Sequence, residues 1–98
     1  MTNFKIPKII NVCGHGFKIV YRKNLKNEGS DCYGLIDFEK EIIYLATGMT
    51  LDRKKDTLLH EVIHAISHLN NFNLSENATN LLALNIIATL KTNKLRII

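Results

Sequence analysis

Three side chains within one five-residue segment have the types and the spacing of a metal site. His60, Glu61 and His64 form the pattern H-E-x-x-H. On a helix, residues four apart lie on one face with Cβ atoms about 5–6 Å apart, so two imidazoles can bind one ion. Glu61 lies about 100° around the helix from His60, where its carboxylate can approach a metal-bound water without being a ligand. The pattern therefore predicts a zinc ion (Zn2+) bound by His60 and His64, with Glu61 as the general base.

The helical phase of this segment separates the metal motif from the apolar residues. An advance of about 100° per residue gathers one apolar stripe, which is expected to pack on the core. The residues of that stripe are Leu58, Val62, Ala65, Ile66 and Leu69. His60, Glu61 and His64 fall on the other side, so we expect them to face a cleft or water. His68 lies there too, but about 12 Å from His60 along the axis, too far to share one ion. Its role stays open between supporting the site, contacting substrate and being simply exposed.

A third ligand is needed, because a catalytic zinc ion usually takes three protein ligands and a water. The longer pattern H-E-x-x-H-x-x-G-x-x-H is not met, since Ser67 occupies the glycine position and Asn70 the last histidine position. Glu76 is the only acidic residue after Glu61. It falls in the first turn of the next predicted helix, where the helix dipole stabilises an ionised carboxylate. Position alone leaves Glu76 open as a metal ligand or as a helix-capping residue.

Runs rich in β-branched and aromatic residues predict strands in the first half of the chain. The predicted strands are Lys8–Val12, Phe17–Arg22, Tyr33–Phe38 and Glu41–Ala46. They form two hairpins. The first turns through Gly14-His15-Gly16, where glycine supplies the positive φ, and the second through Glu39-Lys40. The polar stretch Asn24–Asp31 is predicted as a loop.

Two helices are predicted in the second half of the chain. Thr50 is a suitable N-cap for a helix that carries the metal motif and ends at about Leu69. Asn73 or Ser75 caps a second helix that ends at about Lys91. The tail beyond it is predicted as a short strand or as irregular chain. The fold class is therefore α+β, a small N-terminal antiparallel sheet of hairpins followed by an active-site helix and a second C-terminal helix.

Length and composition are those of one globular domain, residues 1–98, with 46% hydrophobic and 22% charged residues. The net charge of +4 is spread over Lys-rich stretches without alternating aromatic residues, so we expect no nucleic-acid partner. Cys13 and Cys32 lack C-x-x-C spacing and are expected to be free thiols. No apolar run is long enough for a leader or a membrane span, so a cytoplasmic protein is expected. A small core favours a homodimer or an activating partner protein.

The segment Thr57–Ile66 resembles the active helix of the ImmA/IrrE-type zinc peptidases and of the short phage and prophage zincins related to them. The second helix is similar to the family segment E-x-x-A-N-x-F-A, whose Glu is the third zinc ligand. Glu76, Asn80 and Ala83 match that segment, whereas Thr79 and Leu82 depart from it. The resemblance extends over about residues 32–90, including a weaker match of the preceding hairpin. It implies a minimal zincin of phage or prophage type with His60, His64 and Glu76 as zinc ligands.

This resemblance implies zinc-dependent hydrolysis of a peptide bond in a protein or peptide substrate. The candidate oxyanion donors are His68, His15 and Tyr44, which the sequence does not rank. The strand Glu41–Ala46 is expected, by resemblance, to form the cleft edge on which an extended peptide adds as a further strand. One alternative is a catalytically silent zinc-binding adaptor or inhibitor that binds host proteins. Another is a hydrolase of the peptide-deformylase kind with Cys32 as third ligand.

Overall fold

The strand and helix patterns of the sequence are realised over residues 6–93, the part of the chain that the computed structural model describes. In chain order the elements are β1 (Ile9–Val12), β2 (His15–Arg22), β3 (Lys26–Asn27), β4 (Ser30–Asp31), β5 (Gly34–Asp37), β6 (Ile42–Ala46), α1 (Leu51–Leu69) and α2 (Glu76–Thr92). The predicted α+β arrangement is confirmed. Neither described helix is long and apolar enough to cross a membrane. The tail prediction falls largely on residues 94–98, which lie outside the described part.

The main sheet has four strands in the order β1-β2-β6-β5. Both predicted hairpins are present, since β1 pairs antiparallel with β2 and β5 pairs antiparallel with β6. The two hairpins join through a parallel pairing of β2 with β6, in which Val20 lies beside Tyr44. The sheet is therefore mixed. The hairpin signals in the sequence predicted the two antiparallel pairings but not this central parallel one.

The first hairpin is tighter than predicted. Its turn consists of Cys13 and Gly14, both with positive φ (50° and 84°), as a two-residue type I′ turn requires. His15 already begins β2, and Gly16 pairs with Asn11 in the ladder. The predicted loop at 24–31 contains a second small hairpin, β3 with β4. Here too the two turn residues have positive φ.

The core lies between α1 and one face of the sheet. Its buried residues are Val12, Phe17, Ile43, Leu45, Leu58 and Ala65. α2 packs on α1 through a narrow face of Thr79, Ala83 and Ile87. The ion pair between Lys91 and Asp52, at 3.5 Å, joins the end of α2 to the start of α1, so the two helices run antiparallel.

Both helices begin at side-chain caps. The Thr50 hydroxyl accepts a hydrogen bond from the Arg53 amide at 3.2 Å, which confirms the predicted cap of α1. Ser75 caps α2 by accepting from the Ala78 amide at 3.0 Å, so of the two predicted candidates it is Ser75 rather than Asn73. Glu76 is therefore the first residue of α2.

Candidate metal centre

Three side chains predicted as ligands converge on one point between the helices. The Nε2 atoms of His60 and His64 are 3.0 Å apart, and the Glu76 carboxylate lies 2.5 Å from His64 Nε2 and 3.4 Å from His60 Nε2. Within the described residues, these three side chains form a group that could hold a metal ion, with ligand atoms within 4.8 Å of one another. A tetrahedral zinc ion with bonds of about 2.0–2.1 Å separates its ligand atoms by roughly 3.3 Å. The donor set and spacing therefore fit zinc.

The turn between the helices brings Glu76 to the histidines. A symmetric helical hairpin would place Glu76 level with His68, one turn beyond His64. The turn is fixed by Ser67, whose hydroxyl donates to the Phe72 carbonyl and whose carbonyl accepts from the Phe72 amide at 3.1 Å. From this turn the Glu76 side chain reaches back, and its two oxygens meet the two imidazoles.

Glu61 lies beside the ligands but is buried, with 6% of its surface exposed. Burial, and then the negative charge of Glu76, raises the pKa of Glu61 to about 7. A bound cation would oppose this shift, because it stabilises the ionised carboxylate. In the metal-free protein the Glu61 carboxyl can therefore hold or release a proton near neutral pH.

The prediction from helical phase is wrong at two positions. Glu61 was expected to face a cleft or water but is buried, and Ile66 was expected on the core stripe but is 37% exposed. The reason is that α1 is covered on two sides, by the sheet, whose strand β5 lies against Glu61, and by α2. A helical-wheel projection that assumes one buried stripe does not describe a helix that is covered on two sides.

Gly34 in β5 allows the sheet to lie this close to Glu61. A Cβ atom at Gly34 would lie 2.5 Å from Thr57 Cγ2 and 3.1 Å from Glu61 Oε2. Real Cβ atoms do not approach other atoms as closely as the first of these, so a larger residue would push β5 away from α1. The sequence pattern alone gives Gly34 no site role. Its only signal was a glycine inside a strand, which often marks close approach of another group.

The metal group lies in a cleft of about 880 Å³ between β5 and α2, with α1 as its floor. β5 contributes Gly34, Leu35 and Ile36 to one wall. The prediction that the strand at 41–46 forms the cleft edge is wrong. This strand, β6, is an inner strand that pairs with β2 on one side and with β5 on the other. β5 ends the sheet, so its second backbone edge is free of any strand within the described residues.

Of the three candidate oxyanion donors, the structure places only His68 in the cleft. The His68 ring stacks on Phe38 with centroids 3.8 Å apart. His15 instead pairs with Glu41 at 2.6 Å, in a part of the sheet that does not line the cleft. Tyr44 lies between two core residues of β6 and thus faces away from α1, under the Arg22 guanidinium.

Cys32 lines the cleft near Glu61 without joining the ligand group. Burial, followed by the negative charge of Glu61, raises the pKa of the Cys32 thiol. A raised pKa disfavours the thiolate that would bind a metal. Glu76 rather than Cys32 meets the two histidines, so the geometry does not favour the deformylase alternative.

No protein-family model, curated protein or solved structure matches this chain. The resemblance to zinc peptidases therefore depends on the motif residues and their geometry. At the two departures from the family segment, Thr79 is fully buried with its hydroxyl donating to the Ser75 carbonyl at 2.9 Å, and Leu82 is exposed. Neither departure introduces an unsatisfied polar group next to the ligands.

Proposed function

We propose that this chain is a zinc-dependent peptidase that hydrolyses a peptide bond in a protein substrate. In this proposal His60, His64 and Glu76 hold the ion, and Glu61 is the general base. The main support for this proposal is one observation. The candidate ligand atoms of His60, His64 and Glu76 lie within 4.8 Å of one another, beside the buried Glu61 carboxyl, at the floor of an open cleft.

The chemistry divides between the ion and the protein. When bound, zinc polarises the scissile carbonyl and lowers the pKa of a bound water towards about 7. Glu61 takes the proton of the attacking water and gives it to the leaving amine. Its position beside the two histidines suits both steps, and its burial favours the protonated form that the second step requires. Gly34 keeps the space beside this carboxyl free of side chains.

An extended peptide is the substrate shape that the cleft favours. β5 presents an unpaired backbone edge along the cleft wall, and such an edge binds a further strand through main-chain hydrogen bonds. A strand bound there would pass over His60, His64 and Glu61, because Gly34 and Ile36 of β5 line the cleft together with them.

Zinc stoichiometry tests the metal site. Wild-type protein should bind one zinc ion per chain, and both His64→Ala and Glu76→Ala should lose it. His68→Ala is the matched control, because His68 lines the same cleft without belonging to the ligand group. Absence of zinc from reconstituted wild-type protein, measured by elemental analysis, would contradict the proposal.

Glu61→Gln separates hydrolysis from metal binding. The variant should keep its zinc and lose cleavage of an unfolded protein such as casein by about 10²-fold or more, as expected for loss of a general base. Cleavage that is insensitive to this change would point to a contaminating protease. Intact zinc binding without Glu61-dependent cleavage would instead favour a silent zinc-binding adaptor.

One observation favours protein binding as a second candidate function. α2 exposes large apolar residues on the sides that do not pack on α1, namely Leu81, Leu82, Leu84 and Ile86. Its charged residues are Glu76 and Lys91, one near each end. A helix that is apolar on most of its circumference is usually buried, so an activating partner or a second copy of the chain would suit this surface.

A further inference from the structure

The cleft has two unlike ends on either side of the metal ligands. One, which we call the charged end, is lined by Tyr33, Arg53 and Asp56. The other, which we call the aromatic end, is lined by Phe38, His68, Phe72 and Leu74. Because the two ends differ in chemistry, a bound peptide would meet different requirements on the two sides of its scissile bond.

The aromatic end is built on fixed supports. The Phe38 and His68 rings stack with an interplanar angle of 15°. Phe72 is 46% exposed, yet its backbone amide and carbonyl both bond to Ser67. An exposed aromatic side chain on a fixed turn offers a large contact area at little conformational-entropy cost, as binding anchors do. Among the described residues this end adds no Asp, Glu, Lys or Arg to the lining.

The order of contacts along β5 gives the cleft a direction. Gly34, at the start of β5, lies against Thr57 and Glu61 of α1, whereas Phe38, just after its end, stacks on His68. β5 and α1 therefore run in the same direction, from the charged end to the aromatic end. His68 lies one helical turn beyond His64, about 6 Å along the axis. That distance corresponds to roughly two residues of extended chain.

A peptide added to β5 in the antiparallel sense runs against this direction. Antiparallel pairing is the more stable arrangement per residue, so we take it as the bound form. The N-terminal part of the peptide then lies at the aromatic end and its C-terminal part at the charged end. With the scissile carbonyl at the metal, the aromatic end meets the residues that precede the scissile bond.

We propose that the aromatic end is a specificity subsite for a bulky apolar or aromatic side chain at one of the two residues immediately N-terminal to the scissile bond. Phe72 is the main specificity-determining residue, supported by Leu74 and the stacked Phe38 and His68 rings. The inference about cleavage specificity rests on the proposed peptidase function. The inference that this end binds an aromatic side chain does not depend on hydrolysis.

Cleavage of a peptide mixture tests the specificity. Zinc-loaded wild type should prefer peptides that have Phe, Tyr, Leu or Met at one of the two positions immediately N-terminal to the scissile bond. Phe72→Ala should lower kcat/KM for those peptides by about tenfold or more, as for loss of an apolar pocket contact, and leave alanine and glycine peptides within about twofold. Phe72→Leu should restore most of the preference. Ile9→Ala is the matched control, because Ile9 is an exposed apolar residue of β1 outside the cleft.

A binding measurement separates this inference from the peptidase proposal. In ¹⁵N-labelled zinc-loaded protein, N-acetyl-phenylalaninamide should shift the backbone amides of His68, Phe72 and Leu74 more than those of Tyr33 and Arg53. N-acetyl-glycinamide should not do so, and Phe72→Ala should abolish the difference. If no peptide is cleaved but these shifts appear, the peptidase proposal fails and the subsite remains. No shift at these amides, or a preference on the C-terminal side of the scissile bond, overturns the subsite as proposed.

Discussion

Glu61 is a residue at which the proposed metal chemistry and folding have opposite requirements. Its burial raises its pKa from 4.5 to about 7, so without a metal ion the ionised form is disfavoured in the folded state. Between these two values the folded protein binds more protons at this site than the unfolded chain does. The contribution of Glu61 to the unfolding free energy therefore falls as the pH rises through this window, and the full penalty is present above it.

We predict that Glu61→Gln stabilises the metal-free protein at pH 8. The neutral amide cannot ionise, so the variant should gain on the order of 2 kcal/mol at pH 8 and little or nothing at pH 4. Urea denaturation with a chelator present measures both values. Glu39→Gln, at an exposed carboxyl in the turn between β5 and β6, is the control and should show no such dependence. Equal stabilities of wild type and Glu61→Gln at pH 8 would contradict the burial argument.

Gly34 gives a second prediction at the residue scale. In Gly34→Ala the new methyl would lie 2.5 Å from the Thr57 methyl, so β5 or α1 must move. Overpacking of this kind typically lowers stability by about 1–3 kcal/mol. The movement should also disturb Glu61 and reduce hydrolysis. Denaturant unfolding and a cleavage assay measure the two effects.

Gly16→Ala is the matched control for Gly34→Ala. Gly16 also lies in a strand, but a Cβ there would be 3.6 Å from Ile9 Cγ2, an ordinary contact distance. Its φ is not in the left-handed region. We expect Gly16→Ala to be neutral or slightly stabilising, because alanine restricts the unfolded chain. Equal losses of stability in Gly34→Ala and Gly16→Ala would show that crowding beside Glu61 is not the cause of the loss in Gly34→Ala.

The meeting of His60 and His64 could be predicted from the sequence because their spacing is local, whereas Glu76 was expected beside them by resemblance only. His60 and His64 are related by one helical turn, and Glu76 by a short connection. The burial of Glu61 and the need for Gly34 could not be predicted in the same way. Both depend on where β5 passes over α1, a packing arrangement between segments more than 20 residues apart that no local periodicity records.

The strands and helices show the same difference: features set by neighbouring residues could be predicted from the sequence, and features set by distant segments could not. Thr50 and the turn residue Gly14 act on their own neighbours, so the start of α1 and the first hairpin were predicted, the hairpin with a shorter turn than expected. Ser75 and Asn73 lie two positions apart, and both residue types are favoured N-caps. The cap preferences therefore could not predict that α2 begins after Ser75. The parallel pairing of β2 with β6 joins two hairpins through the core, and no turn signal specifies it.

α2 is the element that we expect to depend most on the metal. It packs mainly on α1, through a face of small and medium residues at Thr79, Ala83 and Ile87. Glu76 ties its first turn to His60 and His64 on α1. If zinc binds as proposed, its removal takes away the ion that joins the two helices, while the contact of α1 with the sheet is unchanged.

Hydrogen exchange should show this difference between the helices. We predict that removal of zinc increases amide exchange in the first two turns of α2 by about tenfold or more, equivalent to at least ~1.4 kcal/mol of local stability. The sheet-facing middle of α1 should change much less and serves as the internal reference. Uniform changes in both helices would mean that they open as one unit with the sheet.

At the scale of the whole molecule, the described part of the chain has three layers: the sheet, α1 and α2. The sheet and α1 share a core of large apolar residues. The outer layer is attached by a smaller buried face and leaves leucines exposed on its other sides. A metal ion between the second and third layers would therefore contribute a large part of the attachment of α2.

The last prediction is that zinc raises the thermal stability of the entire protein. An ion that binds only the folded state at 100 times its dissociation constant contributes about 2.7 kcal/mol. For a domain of about 100 residues, each kcal/mol shifts Tm by about 4–8 °C, so Tm should rise by roughly 10–20 °C over the metal-free protein. Scanning calorimetry with zinc and with a chelator measures the difference. Glu76→Ala should lose most of the shift, measured against the metal-free Tm of the same variant, because the variant also loses the contacts of Glu76 with His60 and His64. His68→Ala should keep the shift in full. A rise that survives in Glu76→Ala would mean that the ion binds elsewhere on the chain.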